Sequence, residues 1–141
     1  MHFTAKFQTQ FGEIELQNID ELSWGVSRQP HINNELGQKN HNIEPITILR
    51  TKSLQKDGKN RNETELVKLT AATGEKAYFK ASIRIATPSD PNNVVQTIEW
   101  DRGHVIGQYD VTRPTGMMER LVIATTNLKI DDSKFELAPT T

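Results

Sequence analysis

Apolar and polar residues alternate with a period of two along most of the chain. Near the N-terminus, Phe3, Ala5 and Phe7 alternate with polar residues, and a turn at Gly12 leads to a second short segment at residues 13–16. Alternation of this kind is typical of half-buried β-strands. We therefore expect an N-terminal hairpin.

The same alternation predicts further strands as far as residue 130. The stretch 19–28 contains Trp24, which we expect to be a core anchor because large aromatic rings next to a glycine in a strand usually pack inside. In a later strand, apolar residues at 79, 81, 83 and 85 should face the core and the residues between them the solvent. The predicted strands cover residues 3–8, 13–16, 19–28, 45–50, 77–86, 94–100, 105–111 and 118–130.

One helix is predicted, after the fourth strand. Leu66, Leu69 and Ala72 form an apolar stripe with helical spacing, and Gly74 supplies a stop signal, so the helix should cover residues 63–73. Eight strands and one helix give a mainly β fold. We expect an antiparallel β-sandwich or barrel with one α-helix, in a single domain covering residues 1–141.

A polar loop at residues 29–44 separates the third and fourth predicted strands. Loops of this length inside a compact domain are often functional, and we expect this one to contact a neighbouring subunit. Two histidines in it are separated by loop sequence rather than by one helical turn, so a shared metal ion is not expected. The candidate contact residues are Pro30, His31, Ile32, Leu36, His41 and Ile43.

Charge and composition limit the possible functions. The formal net charge is -1 and the chain contains no cysteine, so neither a general attraction to nucleic acid nor a disulfide framework is indicated. No apolar run approaches the roughly 18 residues of a membrane span. The N-terminal residues lack the apolar region of a signal peptide, and we expect the protein to be made in the cytoplasm without one.

The tetrapeptide Asp101-Arg102-Gly103-His104 resembles the signature of the non-specific ββα-metal endonucleases. The resemblance implies that His104 is a general base, that Asn127 binds Mg²⁺ and that Glu136 supports it, with Asp101 and Arg102 completing the motif. That family carries its asparagine on a helix, whereas the β-branched residues around Asn127 predict a strand. The alternative is that residues 100–104 form a tight turn or bulge linking two strands.

A second resemblance is carried by the Ser-Trp-Gly-Val core of residues 19–27, the polar loop after it, the lone helix, Tyr78-Phe79 and the strand 119–125. In these features and in the order of elements the chain resembles the tail-tube fold. This fold is shared by tube proteins of contractile phages, phage-like bacteriocins and related injection particles, and by the hemolysin-coregulated protein of type VI secretion. It extends over most of the chain.

This resemblance implies a structural subunit rather than an enzyme. Copies would form hexameric rings whose sheets join into an inner barrel, and stacked rings would conduct DNA or effectors. Sheath, baseplate and tip proteins of the same particle would be the partners, and no cofactor is implied. The polar side of one strand, Lys80, Ser82 and Arg84, is the candidate lumen face. We take the tube subunit as the main hypothesis and the Mg²⁺-dependent nuclease as the alternative.

Overall fold

A computed structural model of the chain describes residues 1–28, 41–52 and 61–137. These residues form eleven strands, one α-helix and one 3₁₀ turn. The strands are β1 (His2–Thr9), β2 (Gly12–Leu16), β3 (Ile19–Ser23), β4 (Val26–Arg28), β5 (His41–Ile43), β6 (Ile46–Thr51), β7 (Phe79–Thr87), β8 (Asp90–Arg113), β9 (Gly116–Thr125), β10 (Asn127–Ile130) and β11 (Ser133–Glu136); the helix is α1 (Arg61–Ala71) and the 3₁₀ turn is Gly74–Ala77.

Nine strands form one antiparallel sheet in the order β2-β1-β7-β8-β9-β6-β3, with β10 beside β8 and β11 beside β10. Strands β2 and β3 lie at opposite ends of this order, although only Gln17 and Asn18 separate them in the chain. The Cα atoms of Leu16 and Ile19 can be at most about 11 Å apart. The sheet must therefore curl until its two ends approach each other, which confirms the predicted antiparallel sandwich or barrel with one helix.

The core lies inside this curled sheet. The predicted apolar face of β7 is confirmed, because Phe79, Ala81, Ile83 and Ile85 are all buried. The prediction for Trp24 is wrong: its side chain is 36% exposed. Trp24 lies between β3 and β4, where the alternation of the preceding strand no longer determines which way a side chain points. The largest fully buried side chains are Trp100, Phe7, Ile14, Leu16, Ile46, Ile48, Leu66, Leu69, Ile83, Ile98, Leu121 and Ile123.

Helix α1 packs its predicted apolar stripe into the core, since Leu66 and Leu69 are both buried. It begins and ends two residues earlier than predicted, at Arg61 and Ala71. Gly74, the predicted stop signal, lies three residues beyond the end of the helix. It has a φ of +63° and begins the 3₁₀ turn. A positive φ at this position favours glycine.

The largest difference from the prediction is β8, a single strand of 24 residues. The sequence pattern predicts two strands, at residues 94–100 and 105–111, but the chain continues between them. The opposite error occurs at residues 118–130, which form β9 and β10 with a break at Thr126. The side chain of Asn127 explains this break, because its Oδ1 accepts a hydrogen bond from the backbone N–H of Asp101 at 3.2 Å.

Two smaller differences concern the ends of predicted segments. The predicted polar loop extends to residue 44, but residues 41–43 form β5, which pairs with β4. The chain after residue 130 has little pattern in the sequence, yet β11 pairs with β10. Both are short strands whose partners lie nearby in the structure, so that pairing holds them in place despite their weak alternation.

Candidate functional site

The tetrapeptide Asp101–His104 forms a bulge in the middle of β8. On β7, Phe79 pairs with Gly103 and Ala81 pairs with Trp100, so one intervening residue of β7 faces two residues of β8. An extra residue of this kind turns neighbouring side chains in new directions. The alternatives of a turn and a bulge are thus resolved in favour of the bulge, within one continuous strand.

The side chains of this bulge bind the 3₁₀ turn to β8. The Arg102 guanidinium donates two hydrogen bonds to the Glu75 carboxylate, at 3.1 and 2.9 Å, and lies 3.7 Å from the centre of the Tyr78 ring. The His104 ring packs edge-on against the same tyrosine, with 5.3 Å between ring centres. The hydrogen bonds from Arg102 lower the pKa of Glu75 below its ordinary value. Arg102 and His104 therefore both have structural contacts.

Gly103 is required by close packing rather than by its backbone angles. A Cβ atom at this position would lie 2.6 Å from Nε1 of Trp100 and 3.1 Å from Cγ2 of Thr125.

We expect Gly103→Ala to lower the free energy of unfolding by about 1–3 kcal/mol, because the buried indole must move. Urea denaturation measures the effect. Gly25→Ala is the control, since its Cβ would be 3.4 Å from the nearest side-chain atom; equal losses in the two variants would contradict this explanation.

The residues of the nuclease hypothesis are only partly brought together. Asp101, Asn127 and Glu136 line a groove of about 200 Å³ between β8, β10 and β11, but His104 is not among the lining residues. Asn127 begins a strand rather than lying on the helix that the endonuclease family uses. Within residues 1–28, 41–52 and 61–137, no group of three or more His, Asp or Glu side chains is arranged to hold a metal ion. The groove thus brings together three of the five nuclease candidates, without Arg102 or His104.

A buried ion cluster joins α1 to the sheet. Arg50 on β6 is 3% exposed and Glu119 on β9 is fully buried. Nε of Arg50 donates to Oε1 of Glu119 at 2.9 Å, and Nη1 and Nη2 donate to the two carboxylate oxygens of Glu63 on α1 at 2.8 and 2.5 Å. Burial alone would lower the pKa of Arg50, but the hydrogen bonds and charges of Glu63 and Glu119 outweigh it and raise that pKa.

Further polar groups complete the cluster. Nζ of Lys52 lies 3.4 Å from Oε2 of Glu119 and donates a hydrogen bond to Oδ2 of Asp110. Nε2 of Gln108 donates to the same Oε2 at 2.9 Å, and Oγ1 of Thr70 donates to Oε1 of Gln108 at 2.6 Å. Buried charges need such partners to offset the loss of water. The cluster therefore holds α1, β6, β8 and β9 together.

The predicted lumen residues lie on the outward face of β7. Lys80 and Arg84 are exposed and Ser82 is half-buried. On the neighbouring strand, Lys6 pairs with Ser82 and Gln8 with Lys80, so this face is polar across β1 and β7. Its relation to a lumen remains a prediction.

Four of the loop candidates, Pro30, His31, Ile32 and Leu36, lie outside the described residues. The other two contact their own chain. The His41 ring is 5.2 Å from the Phe135 ring, and Ile43 packs against the core. A contact between this loop and a neighbouring subunit remains a prediction.

Several strand edges lack a partner within the described residues, among them one edge of β8 and one edge of β3, a feature that the sequence pattern does not predict. We call the β8 edge the side of residues 105–113 that faces away from β9, and the β3 edge the side of Ile19–Ser23 that faces away from β6. Pairing between β7 and β8 stops at Gly103, and within the described parts of the chain no strand pairs with either edge. The β8 edge also exposes Ile106, Tyr109 and Val111, each by about half or more.

No helix in the described segments is both long and apolar enough to cross a membrane.

Long unprotected strand edges with apolar side chains are sites at which sheets extend into a second chain. The described residues thus leave an edge of β8 that exposes apolar side chains and has no strand partner among them.

A scan against protein-family models finds no match, and neither does a search of curated protein sequences. Solved structures with the same fold include Hcp1 from Flavobacterium johnsoniae, with a TM-score of 0.64, 9% identity and coverage of 94% of this chain and 98% of that one. A type VI secretion system effector from Yersinia pestis has a TM-score of 0.66 at 9% identity, covering 96% of this chain and 99% of that one. A chain of the anti-feeding prophage (AFP) baseplate has a TM-score of 0.55 at 12% identity, covering 92% and 91%. The fold of this chain is therefore the tail-tube fold, as the resemblance predicted.

Proposed function

We propose that the chain is a structural subunit of the inner tube of a contractile tail or phage-like injection particle. In this proposal, copies form rings of about six that stack into a conduit for DNA or effectors. The observation that carries it is the likeness of the fold, over more than nine-tenths of the chain, to Hcp1 and to a component of the AFP baseplate. The AFP baseplate structure is 6-fold symmetrised, which supports the ring size in this proposal.

The unpaired strand edges support assembly. An edge strand left open in solution invites pairing with other chains, and soluble proteins usually protect it with lysine, proline or a covering element. Residues 105–113 contain neither lysine nor proline. Pairing with another copy would remove this exposed edge.

The proposal assigns partners and location but no catalytic role. The neighbours of the tube would be the sheath, baseplate and tip proteins of the same particle, and the protein would act within that assembly. The similarity to an AFP baseplate component supports a place in such a particle. The loop at residues 29–44 is our candidate for contacts with a neighbouring subunit.

Negative-stain electron microscopy of the purified protein, combined with light scattering after size exclusion, tests this function. We expect ring-shaped particles or tubes, with a mass near six times the 16.0 kDa of one chain for a single ring. Monomers that persist at high protein concentration would contradict the proposal. Mg²⁺-dependent plasmid cleavage that is lost in His104→Ala would instead favour the nuclease.

A further inference from the structure

A lysine and an aspartate meet beside a buried glutamate in the ion cluster. Nζ of Lys52 donates a hydrogen bond to Oδ2 of Asp110 and lies 3.4 Å from Oε2 of Glu119. The side chains of Lys52 and Glu119 are 9% and 0% exposed, and that of Asp110 is 36% exposed. An amine, a carboxyl group and a second carboxylate thus lie within reach of one another in a mostly buried site.

The register of the sheet brings these groups together. Arg50 pairs with Glu119 and Glu119 pairs with Asp110, so the three side chains form one row on the same face of β6, β9 and β8. The backbone N–H of Lys52 donates to the carbonyl of Met117 at 2.9 Å, which continues the pairing of β6 beyond its last residue. Lys52 lies two residues after Arg50 and therefore points to that same face. Its side chain crosses β9 to reach β8.

We propose that Lys52 and Asp110 form an intramolecular isopeptide bond. Nζ of the lysine becomes bonded to Cγ of the aspartate, and one water molecule leaves. Free amines and carboxylates do not join readily in water, but groups held in contact gain an effective molarity of about 10⁵–10⁸ M. The bond lies within one chain, so it is separate from the proposed assembly into a tube.

The atoms of this reaction balance without an oxidant or a reductant. Within the hydrogen-bonded pair, the ammonium of Lys52 passes one proton to the carboxylate of Asp110. The neutral amine attacks Cγ, which forms the C–N bond, and its second proton moves to Oε2 of Glu119. Glu119 returns that proton to the hydroxyl group on Cγ as the C–O bond breaks, and water leaves. The positive and the negative charge disappear together.

Glu119 is held in position for both proton transfers. Nε of Arg50 donates to its Oε1 at 2.9 Å, and Nε2 of Gln108 donates to its Oε2 at 2.9 Å. These two hydrogen bonds orient the carboxylate, so Oε2 stays beside the amine of Lys52. Asp110 is the more exposed partner, which gives the released water a way out.

The protonation of Lys52 limits the rate of the reaction. Burial alone would lower the pKa of Lys52, but the hydrogen bond to Asp110 and the charges of Glu119, Asp110 and Glu63 outweigh it and raise that pKa. The neutral amine is therefore a minor species at neutral pH. We expect the bond to form slowly, after the chain has folded.

Mass spectrometry of the intact, denatured chain tests the bond. We expect the mass to fall by about 18 Da, the mass of the water that leaves, as the purified protein is incubated until its spectrum no longer changes. Lys52→Arg is the matched variant, because it keeps the positive charge but has no amine that can form this bond, and its mass should not fall. A final wild-type mass equal to that of the sequence, or an equal loss in Lys52→Arg, would overturn the proposal.

Tryptic digestion locates the bond. Trypsin does not cleave after an acylated lysine or before a proline, so the bond should join residues 51–56 to residues 103–120 in one branched peptide. The ion pairs Lys129–Glu99 and Lys68–Glu65 are internal controls, since their lysine side chains are 41% and 56% exposed. Both should stay unlinked. A loss of water located at any other position would contradict the assignment.

The rate of bond formation tests the role of Glu119. Glu119→Gln should slow the fall in mass about 100-fold or more, because the variant side chain cannot take the proton from Nζ. Glu63→Gln is the matched control, since Glu63 also binds Arg50 but lies 3.9 Å from Nζ of Lys52. Circular dichroism checks that both variants are folded, and the wild-type mass decides the bond itself in either case. Equal rates in the two folded variants would overturn the role of Glu119.

Discussion

Arg50→Met is expected to lower the free energy of unfolding by about 3–5 kcal/mol. The change leaves the carboxylate of Glu119 fully buried without the guanidinium that donates to it at 2.9 Å, and it removes both hydrogen bonds that Glu63 accepts from Arg50. Methionine keeps much of the volume of the arginine stem, so the loss of charge pairing dominates. Urea denaturation at neutral pH measures the loss.

Arg120→Met is the matched control, because Arg120 is the next residue to Glu119 and is exposed. Exposed substitutions of this kind usually change stability by about 0.5 kcal/mol or less. The double variant Arg50→Met/Glu119→Leu should recover part of the loss, since it removes both charges from the interior. Similar values for Arg50→Met and Arg120→Met would show that the buried pair does not stabilise the fold.

Trp100→Ala is expected to cost about 3–5 kcal/mol as well. The indole is 2% exposed and packs against the rings of Phe7 and Phe79, with centres 6.0 and 5.9 Å away. Its removal leaves a cavity where β1, β7 and β8 meet. Circular dichroism should follow the unfolding, because tryptophan fluorescence changes with the substitution itself.

Trp24→Ala is the comparison, since the chain contains two tryptophans and Trp24 is 36% exposed. We expect its effect on monomer stability to be clearly smaller than that of Trp100→Ala, because little buried surface is lost. A larger loss for Trp24→Ala would contradict the structure and restore the sequence prediction that this residue anchors the core.

Local patterns in the sequence predict much of the fold. The alternation in β7 identifies its buried face, because a strand with one side in the core must repeat every two residues. The spacing of Leu66 and Leu69 identifies the buried side of α1 for the corresponding reason. The likeness of residues 19–27 to secretion-tube strands predicts the tail-tube fold.

Features that depend on distant partners cannot be predicted in this way. The continuity of β8 results from pairing with β7, β9 and β10, and the break at Thr126 depends on a contact between Asn127 and Asp101. Neither partner is visible in the local pattern. The tetrapeptide Asp101–His104 suggests a catalytic function because matching four residues to a motif takes no account of how the strand that contains them is paired.

The ion cluster does leave a signal in the sequence. Arg50 is in phase with the apolar residues Ile46 and Ile48, and Glu119 is in phase with Leu121 and Ile123. Two opposite charges that occupy core positions on separate strands indicate a buried pair. Unpaired edges leave no comparable signal, because a strand with one partner has the same alternation as a strand with two.

The unbroken path of β8 has a mechanical consequence. Its first half pairs with β7 and its second half with β9, so both parts of the curled sheet share one backbone. A bend between the parts would have to break hydrogen bonds in the middle of that strand, where Gly103 fits closely against Trp100. Force applied to one part is therefore carried to the other through covalent bonds, which would suit the wall of the tube that we propose.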